Sequence, residues 1–363
     1  MKILYITFID FDSPSESGSS VRPKCMLEAF QTLGCEVTLL SGITNSRAKR
    51  KSGVSRIRSW LKTNRPDICY IEPPTGPLFF MCDRNLIRKL HRMGVPIGFF
   101  YRDIYWKFQS DDLEKTNVGW IYRMKALLIR AMQKRDYRML KRCVDQFYFP
   151  SETVNRYMKF ENFKVLPPGC RELTIKKVEH TMPTAIYVGG ATERYGMRLL
   201  LESWEHLNMD QKARLIIVCP KVQWQDWISK HPKYKDLIEG IEVFHLSDGE
   251  ELEKLYEISD FALIPILKTS YNDMALPIKL YEYISRDLPV VATNCAEMEK
   301  VINEYHLGIV KNDNVQDFAE GIYQMITDME AQKDYRKSLE RAKEENTWQK
   351  RAKTVIQDLQ VKQ

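Results

Sequence analysis

This 363-residue sequence lacks several features that mark common protein classes. Pro, Gly or charged residues interrupt every apolar stretch, so no run approaches the ~20 residues of a membrane-spanning helix. The eight cysteines include no CxxC pair, which disfavours a disulfide scaffold or zinc site and predicts reduced core thiols in a cytoplasmic protein. Glycine and proline, 16 each, are too few for a fibrous chain, whereas 44% hydrophobic residues can build sizeable cores.

Charge is divided unevenly along the chain. Residues 1–165 hold 29 Lys and Arg against 16 Asp and Glu, whereas residues 166–363 hold 26 against 32. The first part is therefore strongly basic, which predicts a polyanionic partner for that part alone. Nucleic acid is disfavoured as this partner, because the basic residues belong to no known recognition module.

An anionic membrane surface fits the basic part better. Within residues 120–142, apolar residues recur at helical spacing, namely Trp120, Met124, Leu127, Leu128 and Ala131. Basic residues fall on another face of the same predicted helix, namely Arg130, Lys134, Arg138 and Lys141. A basic helix with an aromatic edge is typical of a segment that lies on anionic lipid, and a solvated helix face is the alternative.

Strand-like apolar runs alternate with amphipathic helical stretches through the whole sequence. Strands are predicted at 2–8, 35–40, 67–71, 95–101, 146–149, 184–188, 214–219, 241–246, 261–266 and 289–293. The first run fits a buried strand better than a signal peptide. The alternation predicts an α/β protein with two Rossmann-like parallel-sheet domains facing a central cleft, joined near VLPPGCRE at 165–172.

Four loops at predicted strand ends contain residues suited to a sugar nucleotide. Gly18 lies in SESGSSVRP, and Arg194 follows two glycines in VGGATERYG, where a phosphate could meet backbone N–H groups and a guanidinium. Lys279 and Glu282 are three residues apart, so both can project from one helix face toward phosphate and ribose. Arg102 and Asp103 follow a strand among aromatic residues. Ordinary connecting turns and surface ion pairs are the alternatives for these loops.

In their order along the chain, these segments resemble a GT-B-fold glycosyltransferase of family 4 (group 1). The strongest match is LPIKLYEYISRDLPVVATNCAEMEKVINEYHLGIVKNDNVQDFAEGI, followed by YVGGATERYGMRLLLESW and GSSVRPKCMLEAFQTLGCEVTLLSG. CVDQFYFPSETVNRYM, VLPPG and NTWQKRAKTVIQDL also match. The resemblance implies an acceptor-side domain at 1–167, a nucleotide-sugar-binding domain at 168–344, and a terminal helix at about 345–363 that packs back on the first domain.

The resemblance also implies an activity and a site. A retaining, metal-independent enzyme without a cofactor would move a hexose from a nucleotide diphosphate sugar, most simply UDP-linked. Separately from the resemblance, the charge asymmetry predicts a glycan or lipid-linked acceptor in cell-surface polysaccharide synthesis, reached at the inner face of the membrane. Glu282 would bind ribose, and Lys279 would lie along the diphosphate and sugar. The remaining implied donor-site residues are Gly18, Ser19, Gly190, Arg194, His245, Leu246, Met274, Ala275, Leu276 and Pro277.

The sequence departs from the family pattern at several positions. The first acid of the family's Glu-x7-Glu pair is Met274 here, with Asp273 one residue away. Two basic phosphate-binding positions are Gly190 and Tyr195. No histidine occupies the first-domain position common in the family, so Asp103, with Arg102, is our catalytic candidate.

These departures keep other hypotheses open. A catalytically silent homologue that stabilises an active glycosyltransferase is the main alternative. A nicotinamide oxidoreductase is disfavoured, because no GxGxxG follows a predicted strand. The acidic triplet Asp10-Phe11-Asp12 resembles a metal-binding motif, but it follows the first strand and such triplets are common by chance, so we predict no metal site.

Overall fold

The structure, a computed structural model, describes residues 1–11, 18–42, 46–102, 104, 107, 120–178, 180–207, 213–238 and 240–361. The chain divides into two compact units. Unit 1 comprises Met1–Pro167 with Trp348–Gln363, and unit 2 comprises Pro168–Thr347. No helix among these described residues is both long and apolar enough to cross a membrane.

Unit 1 is built on a six-stranded, entirely parallel sheet. Its strands are β1 (Lys2–Ile6), β2 (Glu36–Leu40), β3 (Ile68–Ile71), β4 (Ile97–Phe100), β5 (Gln146–Phe149) and β6 (Phe163–Val165). They lie in the order β2-β1-β3-β4-β5-β6, with Tyr5 of β1 in register with Leu39 and Tyr70. Residues of β3, β4 and β5 are buried throughout, as expected for parallel strands with both faces covered.

Helices follow most strands of unit 1 and cover its sheet. They are α1 (Gly18–Thr32), α2 (Arg47–Trp60), α3 (Met81–Arg92), α4 (Trp120–Cys143) and α5 (Glu152–Met158). Helix α3 carries its buried residues at the spacing of an amphipathic helix, with Leu86, Ile87 and Leu90 on the core side. The strand–helix alternation therefore produces right-handed crossovers between parallel strands.

Unit 2 repeats this construction with a second six-stranded parallel sheet. Its strands are β7 (Thr184–Val188), β8 (Arg214–Val218), β9 (Glu242–Phe244), β10 (Phe261–Ile264), β11 (Val290–Thr293) and β12 (Gly308–Lys311). The order β12-β11-β10-β7-β8-β9 is that of a Rossmann sheet, in which the strand order reverses beside the first strand. The crevice between β7 and β10 is therefore the topological switch point, where such sheets bind ligands.

The helices of unit 2 complete its layers. They are α6 (Met197–Leu207), α7 (Lys221–Lys230), α8 (Lys235–Ile238), α9 (Glu250–Glu257), α10 (Ile278–Ile284), α11 (Ala296–Tyr305), α12 (Val315–Thr327) and α13 (Met329–Glu345). Two buried clusters cover the sheet. One contains Leu280 and Tyr283 of α10, and the other contains Leu200 of α6 and Phe318 of α12.

The last helix, α14 (Trp348–Gln360), belongs to unit 1. It buries residues at the i, i+4, i+7 and i+11 spacing of a single helical face, namely Trp348, Ala352, Val355 and Leu359. This face packs in the cluster that holds Tyr5 and Tyr70. Full burial of each large apolar side chain contributes about 1.5–3 kcal/mol, so α14 is an integral part of unit 1.

The predicted fold class, two parallel-sheet α/β units, is confirmed. Two strands were absent from the prediction, β6 and β12. Both lie at the edge of their sheet, and their residues are half-buried or exposed. A short edge strand needs no continuous apolar run, so hydrophobic patterning does not reveal it.

Candidate functional site

The switch point of unit 2 brings glycine backbone and a lysine together. Strand β7 ends in Val188 and continues as Gly189-Gly190. A Cβ on Gly189 would overlap the Lys279 ammonium, and a Cβ on Gly190 would lie 2.8 Å from the Tyr195 ring. Glycine at 189 therefore allows Lys279, from the first turn of α10, to lie directly against the end of β7.

Lys279 is held by aromatic rings. Its Nζ lies 4.7 Å from the ring centroid of Tyr187 and 4.9 Å from that of Tyr195, and 3.5 Å from the Tyr187 hydroxyl. That hydroxyl in turn donates to the carbonyl oxygen of Gly190 at 2.8 Å. Cation–π contacts stabilise an ammonium less than a carboxylate partner does, so a strong anion-binding capacity remains.

Burial lowers the pKa of the Lys279 ammonium to about 8, while Glu282 and Cys219 oppose the shift. The lysine is therefore largely protonated at neutral pH and poorly solvated. A bound phosphate would favour its charged form and raise this pKa. The surface Lys–Glu ion pair considered as the simpler alternative does not describe Lys279, whose described contacts are the tyrosines.

Glu282 lies one turn further along α10 and is half-buried. The neighbouring Arg286 donates to the Glu282 backbone carbonyl at 3.0 Å, but its guanidinium pairs with the Glu253 carboxylate. The same guanidinium lies 4.2 Å from the Tyr256 ring centroid. Because Arg286 is engaged by Glu253, the Glu282 carboxylate keeps its capacity to accept hydrogen bonds from a diol.

The segment before α10 alternates buried and half-buried residues. Met274 and Leu276 are buried in the core, whereas Ala275 and Pro277 are only half-buried. Pro277 is the extended residue from which α10 begins. The side chains of Met274 and Leu276 are thus structural, so a ligand role for these two positions could come only from their backbone.

Asp273, the acid one residue before position 274, contacts the start of the next helix, α11. Its Oδ1 accepts a hydrogen bond from the backbone N–H of Ala296, at the start of α11, at 3.1 Å. Asp273 thereby contributes to the N-terminal cap of that helix. Position 274 itself is occupied by a buried methionine side chain.

Arg194 lies in a short 3-10 turn between β7 and α6. It is exposed, and its guanidinium lies 4.8 Å from the ring centroid of Tyr271 and 5.9 Å from that of Tyr195. The Tyr195 ring thus lies near both Arg194 and Lys279. Glu193, which precedes Arg194, forms a bidentate pair with Arg198.

His245 and Leu246 follow β9, which ends at Phe244, so the predicted strand 241–246 is too long. His245 Nδ1 lies 2.9 Å from the carbonyl oxygen of Cys219, which follows β8, and Leu246 packs partly on the core. Strand β9 is two strands from β7, or about 10 Å along the sheet. That spacing suits a nucleoside whose phosphates lie at β7.

The carboxyl edge of the unit 1 sheet holds a buried charge cluster. Glu72, which directly follows β3, is fully buried. Arg22 Nε lies 3.3 Å from Glu72 Oε1, Arg102 Nη2 lies 3.4 Å from Oε2, and the Tyr70 hydroxyl donates to Oε1 at 3.2 Å. Glu72 therefore orients the catalytic candidate Arg102.

The other unit 1 candidates are only partly described. Gly18 and Ser19 begin α1, one turn before Arg22. Asp103 lies outside the described residues, as does Asp12 of the acidic triplet. Among the described residues, no group of three His, Cys, Asp or Glu side chains is placed to hold a metal ion.

Residues 171–343 match the family model described as glycosyl transferases group 1. This match spans nearly all of unit 2. Over 72 residues the chain is 31% identical to TuaH of Bacillus subtilis strain 168, which is named as a teichuronic acid biosynthesis glycosyltransferase. That match spans 20% of this chain and only 18% of TuaH.

The whole chain resembles solved GT-B structures. A glycosyltransferase from Rickettsia africae has a TM-score of 0.68 at 15% identity, covering 99% of this chain and 98% of that one. A UDP-forming α,α-trehalose-phosphate synthase from Burkholderia vietnamiensis has 0.67 at 11%, with the same coverage. HepE from Anabaena, in complex with UDP and glucose, has 0.66 at 12%, covering 99% of each chain. At these identities the likeness establishes the fold.

Sequence reasoning missed Tyr187 and Glu72 as site residues. Tyr187 reads as one more apolar residue of the strand TAIYV, because its hydroxyl contacts become visible only in three dimensions. Glu72 did carry a signal, since a charged residue directly follows the buried run ICYI. Tyr195 was noted as a departure, and the structure places it against Lys279.

Proposed function

We propose that the chain transfers a hexose from a UDP-linked sugar to a glycan or lipid-linked acceptor in cell-surface polysaccharide synthesis. The observation that carries this proposal is the ammonium of half-buried Lys279, held on Tyr187 and Tyr195 at the switch point of a unit that matches the group 1 family model. TuaH, named for the synthesis of a polysaccharide, supports the acceptor class.

The proposed chemistry depends on charge stabilisation. As the bond between sugar and diphosphate breaks, negative charge develops on the leaving phosphate oxygens, and cations placed there stabilise the transition state. Lys279 and Arg194 supply these cations, and the backbone at Gly190 allows close approach. Glu282 accepts from the ribose hydroxyls, and His245 lies beside the base. Transfer proceeds without a metal and retains the anomeric configuration.

Unit 1 is assigned the acceptor. In this proposal Arg102 and Asp103 act at the reacting sugar, and Gly18 with Ser19 contact the diphosphate. The contact between Arg102 and the buried Glu72 supports the proposed role of Arg102. A guanidinium that is already held by a carboxylate loses less conformational freedom when it binds a sugar.

A peripheral position on the inner face of an anionic membrane is part of the proposal. The first half of α4 exposes large apolar side chains, with Trp120 75%, Ile121 67% and Leu128 63% exposed. Basic residues of the same helix are exposed as well, including Arg130 and Lys134. Each basic residue near anionic lipid contributes about 1 kcal/mol, so several give a reversible, salt-sensitive association.

One experiment tests the donor site and separates the enzyme from the silent homologue. Purified protein is titrated with UDP by calorimetry and assayed for slow release of UDP from a panel of UDP-linked sugars that includes UDP-glucose. Glu282→Gln should weaken UDP binding about tenfold through loss of a charged hydrogen bond, whereas Glu304→Gln, on the exposed face of α11, should not.

The outcomes separate three cases. Binding together with UDP release supports the enzyme. Binding without release of UDP from any nucleotide sugar favours the silent homologue, which the capping role of Asp273 already motivates. UDP affinity that Glu282→Gln leaves unchanged would argue against the assigned ribose site.

A further inference from the structure

A groove between α3 and α4 of unit 1 concentrates positive charge. It has a volume of about 370 Å³, at the lower end of the range for small-molecule sites. The charged and titratable side chains that line it are Arg88, His91, Arg92, Arg135, Arg138 and Arg142. The rest of its described lining is Met139 and Cys143, so no carboxylate faces it there.

Among the described residues, one ion pair partly compensates the charge of this arginine groove. Arg135 Nη2 lies 3.4 Å from Asp136 Oδ1. However, Asp136 is buried and does not line the groove, and it also accepts from the backbone N–H of Leu78 at 2.7 Å. Arg88 donates to a neutral partner, Asn85 Oδ1, at 3.2 Å.

The spacing of the arginines along α3 and α4 places their side chains on the helix faces that line the groove. Arg88 and Arg92 are four residues apart on α3, and Arg135, Arg138 and Arg142 fall at i, i+3 and i+7 on α4. Residues at these spacings share a helix face. Like charges so placed repel one another, and a bound anion would offset that cost. Guanidinium groups bind phosphate in a bidentate geometry, which makes phosphate the best-matched anion.

The arginine groove is also separate from the carboxyl edge of the sheet. Helix α3 ends at Arg92, shortly before β4 begins at Ile97, and α4 ends at Cys143, shortly before β5 begins at Gln146. The groove therefore lies beside the amino ends of these strands. Glu72 and Arg102 lie at the opposite, carboxyl ends.

We propose that the arginine groove is a second binding site, which takes a phosphate-bearing anion such as a pyrophosphate or a phosphomonoester headgroup. This site does not depend on the proposed donor site of unit 2. A soluble phosphate compound and a lipid headgroup share the required chemistry, and the two probes below distinguish them.

The test uses the full chain and a readout that locates the ligand. Hydrogen exchange of peptides covering residues 84–95 and 134–145 is followed during titration with inorganic pyrophosphate, and separately with phosphatidylcholine vesicles containing phosphatidic acid. The double variant Arg138→Gln/Arg142→Gln removes two groove charges. Lys49→Gln/Lys51→Gln, on the exposed face of α2, removes the same charge elsewhere as a control.

We expect either probe to slow exchange in both peptides of the wild type. The groove variant should need about tenfold more probe or show no protection, and the control should match the wild type. A response to pyrophosphate identifies a soluble anion, and a response to vesicles alone identifies a headgroup. The proposal is overturned if neither probe protects these peptides, if the groove variant responds like the wild type, or if the control loses as much.

Discussion

The carboxyl edges of the two sheets differ in the partners of their charged side chains. In unit 1, buried Glu72 lies between Arg22 and Arg102, so this carboxylate is paired within the chain. In unit 2, the described contacts of the Lys279 ammonium are two tyrosine rings and a hydroxyl. Charges paired within the chain maintain the fold, whereas a desolvated cation held on aromatic rings at a switch point is suited to an anion from solution.

Removal of Glu72 should have the largest effect. Glu72→Ala leaves Arg22 buried without its carboxylate, and loss of one partner of a buried pair costs about 3–5 kcal/mol. The free energy of unfolding of unit 1, measured by urea denaturation, should fall by that amount. The control is Glu36→Ala, whose contact with Lys2 at 3.9 Å is exposed and should contribute about 1 kcal/mol or less. Equal losses in both variants would refute the structural role.

A glycine in each unit has a left-handed backbone conformation, but only the one in unit 2 is closely packed. Gly196 has a φ of +74° and Gly34 a φ of +76°, but a Cβ on Gly196 would overlap the carbonyl oxygen of Pro265, which follows β10. Gly196→Ala should therefore destabilise unit 2 by about 2–4 kcal/mol through strain and clash. Gly34→Ala, which meets no atom within 4 Å, should cost about 1 kcal/mol in unit 1. Equal losses of thermal stability in the two variants would contradict the close contact between Gly196 and the Pro265 carbonyl oxygen.

Lys279→Gln should separate binding from stability. The substitution removes a poorly solvated charge, so the melting temperature should stay constant or rise, unlike that of Glu72→Ala. Affinity for UDP should fall at least about tenfold, since a charge-assisted contact is lost. Lys300→Gln, exposed on α11, is the matched control and should leave both values unchanged. If the Lys279 variant is destabilised but binds UDP normally, Lys279 stabilises the fold and does not bind the diphosphate.

Much of the fold could be predicted because parallel strands buried on both faces appear as continuous apolar runs, as in TAIYV and FALIPI. The edge strands β6 and β12 lack such runs and were missed. The position of Arg194 between a strand and a helix, and that of Lys279 and Glu282 on the helix after Pro277, could also be predicted from the apolar runs and Pro277.

The partners of these side chains could not be predicted. Glu72 pairs with Arg22, which is 50 residues earlier in the chain, and Lys279 packs on Tyr187 from a different strand–helix unit. Such pairs depend on how the chain returns to the same sheet edge, which local patterning does not contain. The capping role of Asp273 toward Ala296 is hidden for the same reason.

Proton uptake tests the central claim most directly. Lys279 has a pKa of about 8 in the folded protein and about 10.4 when unfolded, so its burial favours the neutral form and stability should rise between these pH values. A diphosphate that raises this pKa must bring a proton with it. UDP binding to the wild type, measured by calorimetry at about pH 8.5 in buffers of different ionisation enthalpy, should therefore show net proton uptake and weaken with rising pH. Lys279→Gln should show no uptake, and equal uptake by both proteins, or none by either, would contradict the account.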